Sequence, residues 1–350
     1  MVAKVMVMRP TVNDLAREAG VSLATVDRVL NARPGVRAKT IDAVNDAIQR
    51  IGYVRDVAAA NLARRRNYRL AFVLPDTDSQ FLDAMVATLR RGSAVAILSR
   101  TVMELVRFPP EDPHVLAAIL AGLAGQGIDG VAVMAPETPV LRDAIRALHA
   151  AGIAVVALVS DLPNTERDHF VGIDNRAAGR TAGVLMGRFL QDKTRSVAVL
   201  AQSMQLSEAV ERRAGFDEVM QRDAPGVEVL PSLETHGAVS LLRQVMGDVL
   251  DARPDIGGIY ITGIGQRALT EVLAERGMTG RIVVIGHELT DHARDALLRG
   301  RMDAVITQNV GHVMRSALRV LRAKIDGVPL DDSQEQIRIE IVIRENLPGV

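Results

Sequence analysis

The sequence predicts an α/β protein in which a small helical head precedes a long body with doubly wound parallel sheets. Three observations favour this organisation. The chain has 350 residues, more than one ordinary hydrophobic core accommodates. Residues 1–66 carry 12 Lys and Arg against 6 Asp and Glu, whereas the remainder carries 30 against 36. From Tyr68 onward, short apolar strands alternate with longer helices, as in proteins with parallel sheets.

The composition restricts the class of protein. Hydrophobic residues make up 48% of the chain and charged residues 24%, as in folded globular proteins. The chain has no cysteine, which excludes a disulfide framework and a thiolate metal site. The N-terminal segment lacks the long apolar stretch of a secretory signal, and no stretch approaches the ~20 apolar residues of a membrane helix. We therefore expect a cytoplasmic protein whose basic head binds a polyanion.

The head, residues 1–55, is predicted to contain three short helices. Thr11 can cap the first helix, Ser22 can cap the second, and Thr40 begins the third. Gly20 provides a tight turn between the first two helices, and apolar side chains recur at helical spacing in all three. Two short helices around a glycine turn, closed by a third, are typical of a helix-turn-helix DNA-binding domain.

The residues of the head make this prediction more specific. Over about fifty residues they closely resemble the headpiece of the LacI/GalR (lac-repressor) family of transcriptional regulators. The motifs that carry the resemblance are Thr11-Val12-Asn13-Asp14-Leu15-Ala16, Ala19-Gly20-Val21-Ser22, Ala24-Thr25-Val26, Arg28-Val29-Leu30-Asn31 and Lys39-Thr40.

The resemblance implies that the second helix is a recognition helix in the DNA major groove. Leu23, Ala24 and Arg28 then face base edges, since a guanidinium suits guanine and the apolar side chains suit a thymine methyl group. The residues implied to hold phosphates are Thr11, Ser22, Thr25, Asn31 and Lys39. In the alternative interpretation, Arg28 is only a solvated surface charge.

Two features depart from the family pattern. Asp27 stands where relatives usually have a serine that faces the DNA backbone, and Arg55-Asp56 replace the usual Pro-Asn. Asp56 can still cap a helix, so residues 56–67 are predicted to form a hinge helix and a linker. Leu62 falls where the family inserts a leucine into the minor groove, although it could also pack against the partner's hinge helix.

The body, residues 68–350, is predicted to form two lobes, because its strands fall into two runs. Lobe 1 is assigned to about 68–165 plus 309–328, and lobe 2 to about 166–308 plus 329–350. The predicted strands cover residues 69–74, 94–98, 102–106, 129–134, 153–159, 196–201, 226–230, 257–262 and 281–285. The predicted helices include residues 113–126, 138–151, 176–191, 208–222, 238–252, 266–276 and 311–326.

The body resembles the sugar-binding periplasmic-protein fold that this repressor family uses as its sensor. The segments that carry the resemblance are Leu74-Pro75, Gly127-Ile128-Asp129-Gly130, Val171-Gly172-Ile173-Asp174-Asn175, Ala178-Gly179, Glu211-Arg212-Arg213-Ala214-Gly215-Phe216 and Arg344-Glu345-Asn346-Leu347-Pro348. The resemblance implies that an effector binds in the cleft between the lobes and that Arg212 contacts it. In such folds ligands bind at the carboxyl ends of the strands.

Polar side chains, one arginine and one aromatic ring follow successive strands of the body. Such a set favours a polyhydroxylated effector: a sugar, a polyol or a sugar acid. The candidate effector-binding residues are Asp78, Gln80, Phe81, Asp161, Asp174, Arg212, Gly265, Gln266, His287, Glu288 and Gln308. Taken singly, each could equally be a helix cap or a solvated loop residue. Gly265 replaces an asparagine that is common in relatives, and His287-Glu288 replace an aromatic residue and an aspartate.

Two enzyme alternatives compete with this interpretation. Gly263, Gly265 and Glu288 match a dinucleotide-binding fingerprint, which would indicate a nicotinamide-dependent enzyme. His287 and His292 belong to an HExxxH motif, which is one residue too long to place both imidazoles on one helix face for a metal ion. No further catalytic set accompanies either motif. We therefore predict no enzyme activity, no metal and no cofactor.

The sequence thus predicts an effector-responsive transcriptional regulator. We expect a homodimer that binds a near-palindromic DNA operator, with one headpiece on each half-site. Effector bound between the lobes would change their relative orientation and thereby shift the affinity for DNA.

Overall fold

The computed structural model describes residues 10–30, 34–51, 67–77, 79–98, 100–110, 112–190, 195–330 and 332–348. The chain divides into two compact units, residues 1–66 and 67–350. Within the described ranges, no helix is both long enough and apolar enough to cross a membrane. Three groups of predicted residues lie outside these ranges: Asn31, the hinge segment with Leu62, and Asp78.

The first unit is a bundle of short helices, as predicted. The helices are α1 (Val12–Ala19), α2 (Leu23–Leu30) and α3 (Ala38–Ile51). Thr11 caps α1, because its hydroxyl accepts a hydrogen bond from the Asp14 N–H while the Asp14 carboxylate accepts one from the Thr11 N–H. Gly20 ends α1 with a φ of 67°, a conformation that glycine adopts without steric penalty. The buried side chains that hold the helices together are Leu15, Ala16, Val26, Val44 and Ala47.

The second unit begins with a five-stranded parallel sheet, which we call the sheet of lobe 1. Its strands are β1 (Tyr68–Pro75), β2 (Thr101–Phe108), β3 (Gly130–Val133), β4 (Ala154–Leu158) and β5 (His169–Val171). The connecting helices are α4 (Gln80–Leu98), α5 (Pro113–Ala124) and α6 (Pro139–Ala150). The strand order is β2-β1-β3-β4-β5, so each strand–helix unit lays the next strand parallel to its neighbour.

The sheet of lobe 2 has six strands in the described residues. Its strands are β6 (Ser196–Ala201), β7 (Glu228–Glu234), β8 (Ile256–Ile261), β9 (Val283–His287), β10 (Ala304–Gln308) and β11 (Ile339–Val342). The helices that follow lobe 1 are α7 (Asn175–Phe189), α8 (Ser207–Asp223), α9 (Val239–Ala252), α10 (Gln266–Glu275), α11 (Asp291–Leu298), α12 (Val310–Asp326) and α13 (Asp332–Glu335). The order is β11-β10-β9-β8-β6-β7, and only β11 runs antiparallel to its neighbour.

Helices cover both faces of these sheets, which explains why the strands read as continuous apolar runs. In lobe 1, Val73 and Val131 pack on one face with Leu120 of α5. Phe72 and Val156 pack on the opposite face, in the cluster that includes residues of α4 and α12. The doubly wound α/β fold predicted from the alternation of strands and helices is therefore confirmed.

The chain passes between the two lobes three times. It leaves lobe 1 after β5, and returns after β10 with α12, whose Val313, Ala317 and Leu321 share a core with Leu70 of β1. It crosses again before β11, which pairs with β10. Neither lobe is therefore a continuous segment of the chain.

One strand prediction is wrong, and one short strand was not predicted. Residues 94–98 were expected to form a strand, but they are the end of α4. An apolar run without periodicity does not distinguish a buried strand from a buried helix. In this chain the run is helical. The three-residue strand β5, which was not predicted, pairs with β4 in the sheet of lobe 1, although lobe 2 was expected to begin at about residue 166.

Helices α7 and α8 cross at very short distance because glycines face each other's backbones. A Cβ atom on Gly179 would overlap the carbonyl oxygen of Arg212, and one on Gly215 would overlap that of Arg176. This close approach fixes the backbone of Arg212 against α7.

Candidate DNA and effector sites

The predicted base-reading residues lie together on one exposed face of the head. Leu23, Ala24 and Arg28 are exposed on α2, and half of the Leu23 side chain is accessible although it is apolar. Lys39 is exposed at the first turn of α3. An exposed leucine beside an arginine on a short helix is the type of surface that recognition helices present to the major groove.

The start of α2 is organised by two hydroxyl side chains. Ser22 Oγ accepts a hydrogen bond from the Thr25 N–H at 3.2 Å and lies 2.9 Å from Thr25 Oγ1. These bonds cap the helix, which is the role that the sequence predicts for Ser22. Both residues still lie at the surface, so capping does not prevent contact with a phosphate.

Arg212 is the centre of the polar cluster in the body. Its side chain is 3% exposed on α8. Its Nε donates to Asn175 Oδ1 at 2.9 Å, and Nη1 donates to the carbonyl oxygen of Thr262 at 2.6 Å. Nη2 lies 3.8 Å from Glu288 Oε1, so the two charges predicted to face one cleft are in contact. The arginine therefore joins α7, α8 and the carboxyl ends of β8 and β9.

Glu288 follows β9 and is held in an unusual environment. Its φ of 70° lies in the left-handed region, which is strained for a residue with a side chain. Gln308 Nε2 donates to its Oε1 at 3.5 Å. Burial raises the pKa of Glu288 to about 7, while Arg212 and Gln308 act in the opposite direction. Glu288 Oε2 and Gln308 Oε1 are buried and accept no hydrogen bond from the described residues.

A ring stack supports this cluster from within lobe 2. Tyr260 stacks on Phe216 with ring centroids 4.6 Å apart, and its hydroxyl lies 2.7 Å from His287 Nε2. Burial, with the nearby Arg212, lowers the pKa of His287 well below its usual value, so the imidazole is neutral. Gln266 Nε2 donates to the His287 carbonyl oxygen. His287 and Gln266 therefore orient the residues around Glu288 from inside the lobe.

Carboxylates from both lobes surround the cluster. Ser160, after β4, donates to Glu208 Oε2 of α8 at 2.8 Å and links lobe 1 to lobe 2. Burial raises the pKa of Glu211, and the charges of Asp161, Asp174 and Glu208 raise it further. Negative charge is therefore concentrated around Glu211, which is next to Arg212 in the chain.

Two predicted carboxylates are already engaged. Asp161 forms a two-pronged ion pair with Arg167, at 2.5 and 2.7 Å. Asp174 is exposed and caps α7 by accepting from the Ala177 N–H at 2.8 Å. The helix-cap role that the sequence allows is thus the observed contact of Asp174.

The remaining predicted residues lie apart from the Arg212 cluster or contribute backbone only. Gln80 Oε1 accepts from the His292 N–H at 3.5 Å, a second link between the lobes. Phe81 is half-buried and packs against the central apolar cluster. Gly265 begins α10 with a φ of 112°, and a Cβ there would lie 2.6 Å from Leu242 Cδ1, so a tight turn accounts for this glycine.

Sequence reasoning missed Asn175 as part of the site. Asn175 is buried at the first turn of α7, where it accepts from Arg212, and its Nδ2 donates to the Val159 carbonyl oxygen at 3.4 Å. It thereby connects the end of β4 with Arg212. The available signal was an amide at a helix start followed by small apolar residues, which is also the pattern of an ordinary cap.

Two family models match the chain. Residues 70–329 match the periplasmic binding protein domain. Residues 11–56 match the bacterial regulatory proteins of the lacI family. The first match spans most of the body and the second spans the head.

Two similar proteins match along nearly the full chain, and a third matches along half of it. The HTH-type transcriptional regulator CelR of Thermobifida fusca is 27% identical over 97% of this chain and 98% of its own. The HTH-type transcriptional regulator GntR of Pseudomonas aeruginosa is 26% identical over 97% and 96%. Catabolite control protein A of Priestia megaterium is 30% identical over 49% of each chain.

Solved structures share the fold of the body. GanP, a glucose-galactose binding protein from Geobacillus stearothermophilus, is similar with a TM-score of 0.72 at 17% identity, over 81% of this chain and 99% of its own. A solute-binding protein from Burkholderia graminis in complex with D-arabinose has a TM-score of 0.73 at 21% identity, over 81% and 98%.

The two relatives that match along nearly the full chain are named as HTH-type transcriptional regulators. The dinucleotide alternative also conflicts with the structure, because the Glu288 side chain contacts Arg212 and Gln308. The chain thus belongs, over residues 70–329, to the periplasmic binding protein family, and its head is a DNA-binding domain of the lacI type of bacterial regulatory proteins.

Proposed function

We propose that this regulator is a homodimeric, cytoplasmic repressor of genes for carbohydrate or polyol metabolism, whose affinity for a near-palindromic operator is changed by its effector. The observation that carries the proposal is the combination, in one chain, of an exposed reading helix and a buried polar cluster with unsatisfied oxygens. The first supplies sequence recognition, and the second supplies a site that a ligand can complete.

The DNA half of the proposal rests on α2 and the start of α3. Arg28 would bind a guanine, Leu23 and Ala24 would contact thymine methyl groups, and Lys39 would hold a phosphate. Each headpiece reads one half-site, so two-fold symmetry of the dimer accounts for a palindromic operator.

The effector half rests on Arg212, Glu288 and Gln308. A ligand hydroxyl can donate to Glu288 Oε2 or Gln308 Oε1, the oxygens that accept no hydrogen bond from the described residues. Buried polar atoms without a partner cost about 1–3 kcal/mol each, so a hydroxyl that pairs with them gains affinity. A second hydroxyl could accept from Arg212.

The charge of the surroundings favours a neutral or amino-bearing polyol over a sugar acid. The charges of Asp161, Asp174 and Glu208 all act on Glu211, and Arg212 is already shared with Asn175 and Glu288. A carboxylate ligand would add another negative charge to this set.

The exposed edge of the sheet of lobe 1 favours the proposal that the protein forms a dimer. Within the described residues, strand β2 pairs with β1 alone, and the side chain of Val102 on β2 is half exposed. Ile97, at the end of α4 beside it, is 66% exposed. An apolar sheet edge is a surface that proteins normally cover, and a second copy of the chain would cover it.

A gel shift at fixed salt tests the proposal, with an effector first identified by thermal-shift screening of matched neutral, amino and acid polyols. Arg212→Ala and Glu288→Gln should each remove the effector's influence on operator affinity, at a cost of ~1.5–3 kcal/mol in effector binding. Effector-free operator binding should persist. The exposed Glu345→Gln is the control.

The structure adds one expectation for Arg212→Ala. Because the guanidinium is buried and donates to Asn175 and to Thr262, its loss should also lower the melting temperature. Glu288→Gln preserves the side-chain shape and is the cleaner variant. If Glu288→Gln still responds normally to effector, the assignment of the effector site is wrong.

A further inference from the structure

A second polar cleft lies at the hinge between the lobes, and its walls share no residue with the Arg212 cluster. Its volume is about 400 Å³, and its walls are formed by Asn309, His312, Arg315, Arg319, Arg338 and Glu340. The first four belong to α12 or its cap, and α12 packs on the sheet of lobe 1. Arg338 directly precedes β11, and Glu340 lies on this strand of lobe 2. The cleft is therefore walled by both lobes.

Two of its three guanidiniums lack a carboxylate partner. Arg319 is held by Glu335, with both pairs of atoms at 2.9 Å. Arg315 and Arg338 form no ion pair with any described residue, whereas Arg253, for comparison, pairs with Glu228 and with a second carboxylate. Cations that converge on a concave surface focus a positive potential there.

The position of Arg315 strengthens this potential. A Cβ on Gly311 would lie 3.0 Å from Arg315 Nη1, so the guanidinium lies over the first turn of α12. Cations are unfavourable at a helix N-terminus, where the free N–H groups already carry partial positive charge. Only the His312 N–H is satisfied there by the Asn309 side chain, at 2.9 Å. A bound anion would convert this unfavourable arrangement into a favourable one.

We propose that this hinge cleft is a second ligand site, which binds a small anion of the phosphate class, either free phosphate or the phosphoryl groups of a metabolite. Guanidiniums bind phosphoryl oxygens in a forked geometry, and two of them here come from different lobes. The ligand would bridge Arg315 to Arg338 and restrict the angle between the lobes. It would thus influence operator affinity without occupying the effector cluster.

Calorimetric titration of the full chain with inorganic phosphate and with pyrophosphate, without DNA or effector and at constant ionic strength, tests the site. Arg315→Gln and Arg338→Gln should each weaken pyrophosphate binding about tenfold, the factor expected for one charge-assisted hydrogen bond. Glu340→Gln should strengthen it, because a carboxylate leaves the cleft wall. Arg299→Gln, which removes a surface arginine paired with Asp295, is the matched control.

Two results would overturn the proposal. Wild-type protein that binds no pyrophosphate at millimolar concentration has no such site. Equal binding by wild type, Arg315→Gln and Arg338→Gln means that the anion binds elsewhere, for example on the basic head. Both Arg315 and Arg338 are exposed, so neither substitution threatens folding.

A gel shift in the presence of pyrophosphate separates the bridging role from simple binding. Operator affinity should change in the wild type and stay constant in Arg315→Gln. Binding by calorimetry without any change in operator affinity would refute the bridge between lobes. Operator binding in the absence of pyrophosphate tests the proposed function separately, so the two failures are distinguishable.

Discussion

At the scale of single residues, Arg28 and Lys39 are both exposed cations of the head, yet they are expected to act differently. We predict that Arg28→Ala costs roughly 1–3 kcal/mol on the specific operator and relaxes the base preference at one position, because a guanidinium reads guanine. Lys39→Ala should weaken binding to all DNA about equally, since it contacts phosphate. Gel shifts on operator and on random DNA at several salt concentrations measure both effects.

Unchanged operator affinity in Arg28→Ala would contradict the assignment of α2 as the recognition helix. The same experiment would then favour the interpretation of Arg28 as a solvated surface charge. Lys39→Ala serves as the internal control, because its loss should reduce the salt dependence without changing the preferred sequence.

Glu288 predicts a pH dependence of stability. Burial raises its pKa to about 7 from the ordinary 4.5, so the folded chain holds a proton that the unfolded chain releases. The free energy of unfolding should therefore fall as pH rises from about 4.5 to about 7, by up to ~3 kcal/mol. Urea denaturation at pH 5 and pH 8 measures the slope. Glu288→Gln should flatten it, whereas the exposed Glu166→Gln should leave it intact; an unaltered slope in Glu288→Gln would refute the prediction.

The candidate site was predictable only in part at this scale. Arg212 and Glu288 came from their positions after successive strands, and the structure brings them within 3.8 Å of each other. Asn175 was missed, because an amide at a helix start has the same local pattern whether it caps the helix or holds an arginine 37 positions away. Contacts between distant segments leave no signal in local periodicity.

At the scale of elements, the crossing of α7 and α8 depends on glycines. We predict that Gly215→Ala destabilises the protein by about 1–3 kcal/mol or more, because the added Cβ would overlap the Arg176 carbonyl oxygen and push the helices apart. The control is Gly187→Ala on α7, the other helix of this pair: the added Cβ meets its nearest atom at 3.8 Å, so the variant should be neutral or slightly stabilising. Thermal and urea unfolding compare the two; equal stability of both variants would show that the crossing tolerates a side chain.

The hinge segment 56–63 gives a second prediction for an element. Its residues lie outside the described ranges, and the expectation comes from the sequence: a capping Asp56 and an alanine-rich run that is shorter than the ~12–15 residues an isolated helix needs. We expect it to be helical only when the dimer is bound to its operator. Amide hydrogen exchange should show protection there with operator and none without it, and strong protection in the free protein would contradict this.

Elements with a clear period were predictable, whereas short or uniformly apolar ones were not. The alternation of apolar strands and longer helices between residues 113 and 326 predicted the bounds of most of these elements to within a few residues. Residues 94–98 are uniformly apolar, without polar residues that would show a period, and they form the end of a helix. Strands β5 and β11 contain only three and four residues, and their extended form comes from pairing with β4 and β10. Tertiary pairing of this kind cannot be read from local propensity.

At the scale of the whole molecule, the exposed edge at β2 predicts the site of dimer formation. Val102→Lys should weaken self-association by about tenfold or more, because a charge would be buried at the contact. Operator affinity should fall with it. Sedimentation equilibrium measures the association, and Val115→Lys, an exposed valine on α5, is the control. Normal self-association by Val102→Lys would place the dimer contact elsewhere.

The position of the antiparallel strand β11 near the end of the chain has a consequence for folding during synthesis on the ribosome. It is translated after every other strand of its sheet, and until it emerges β10 has an unpaired edge. The head is complete after residue 51, so at 5–20 residues per second about 15–60 s separate a finished reading head from a finished lobe 2. A chain released in this interval would contain the complete head but a lobe 2 sheet in which the edge of β10 lacks β11. Responsiveness to the effector is thus the last property that the nascent regulator acquires.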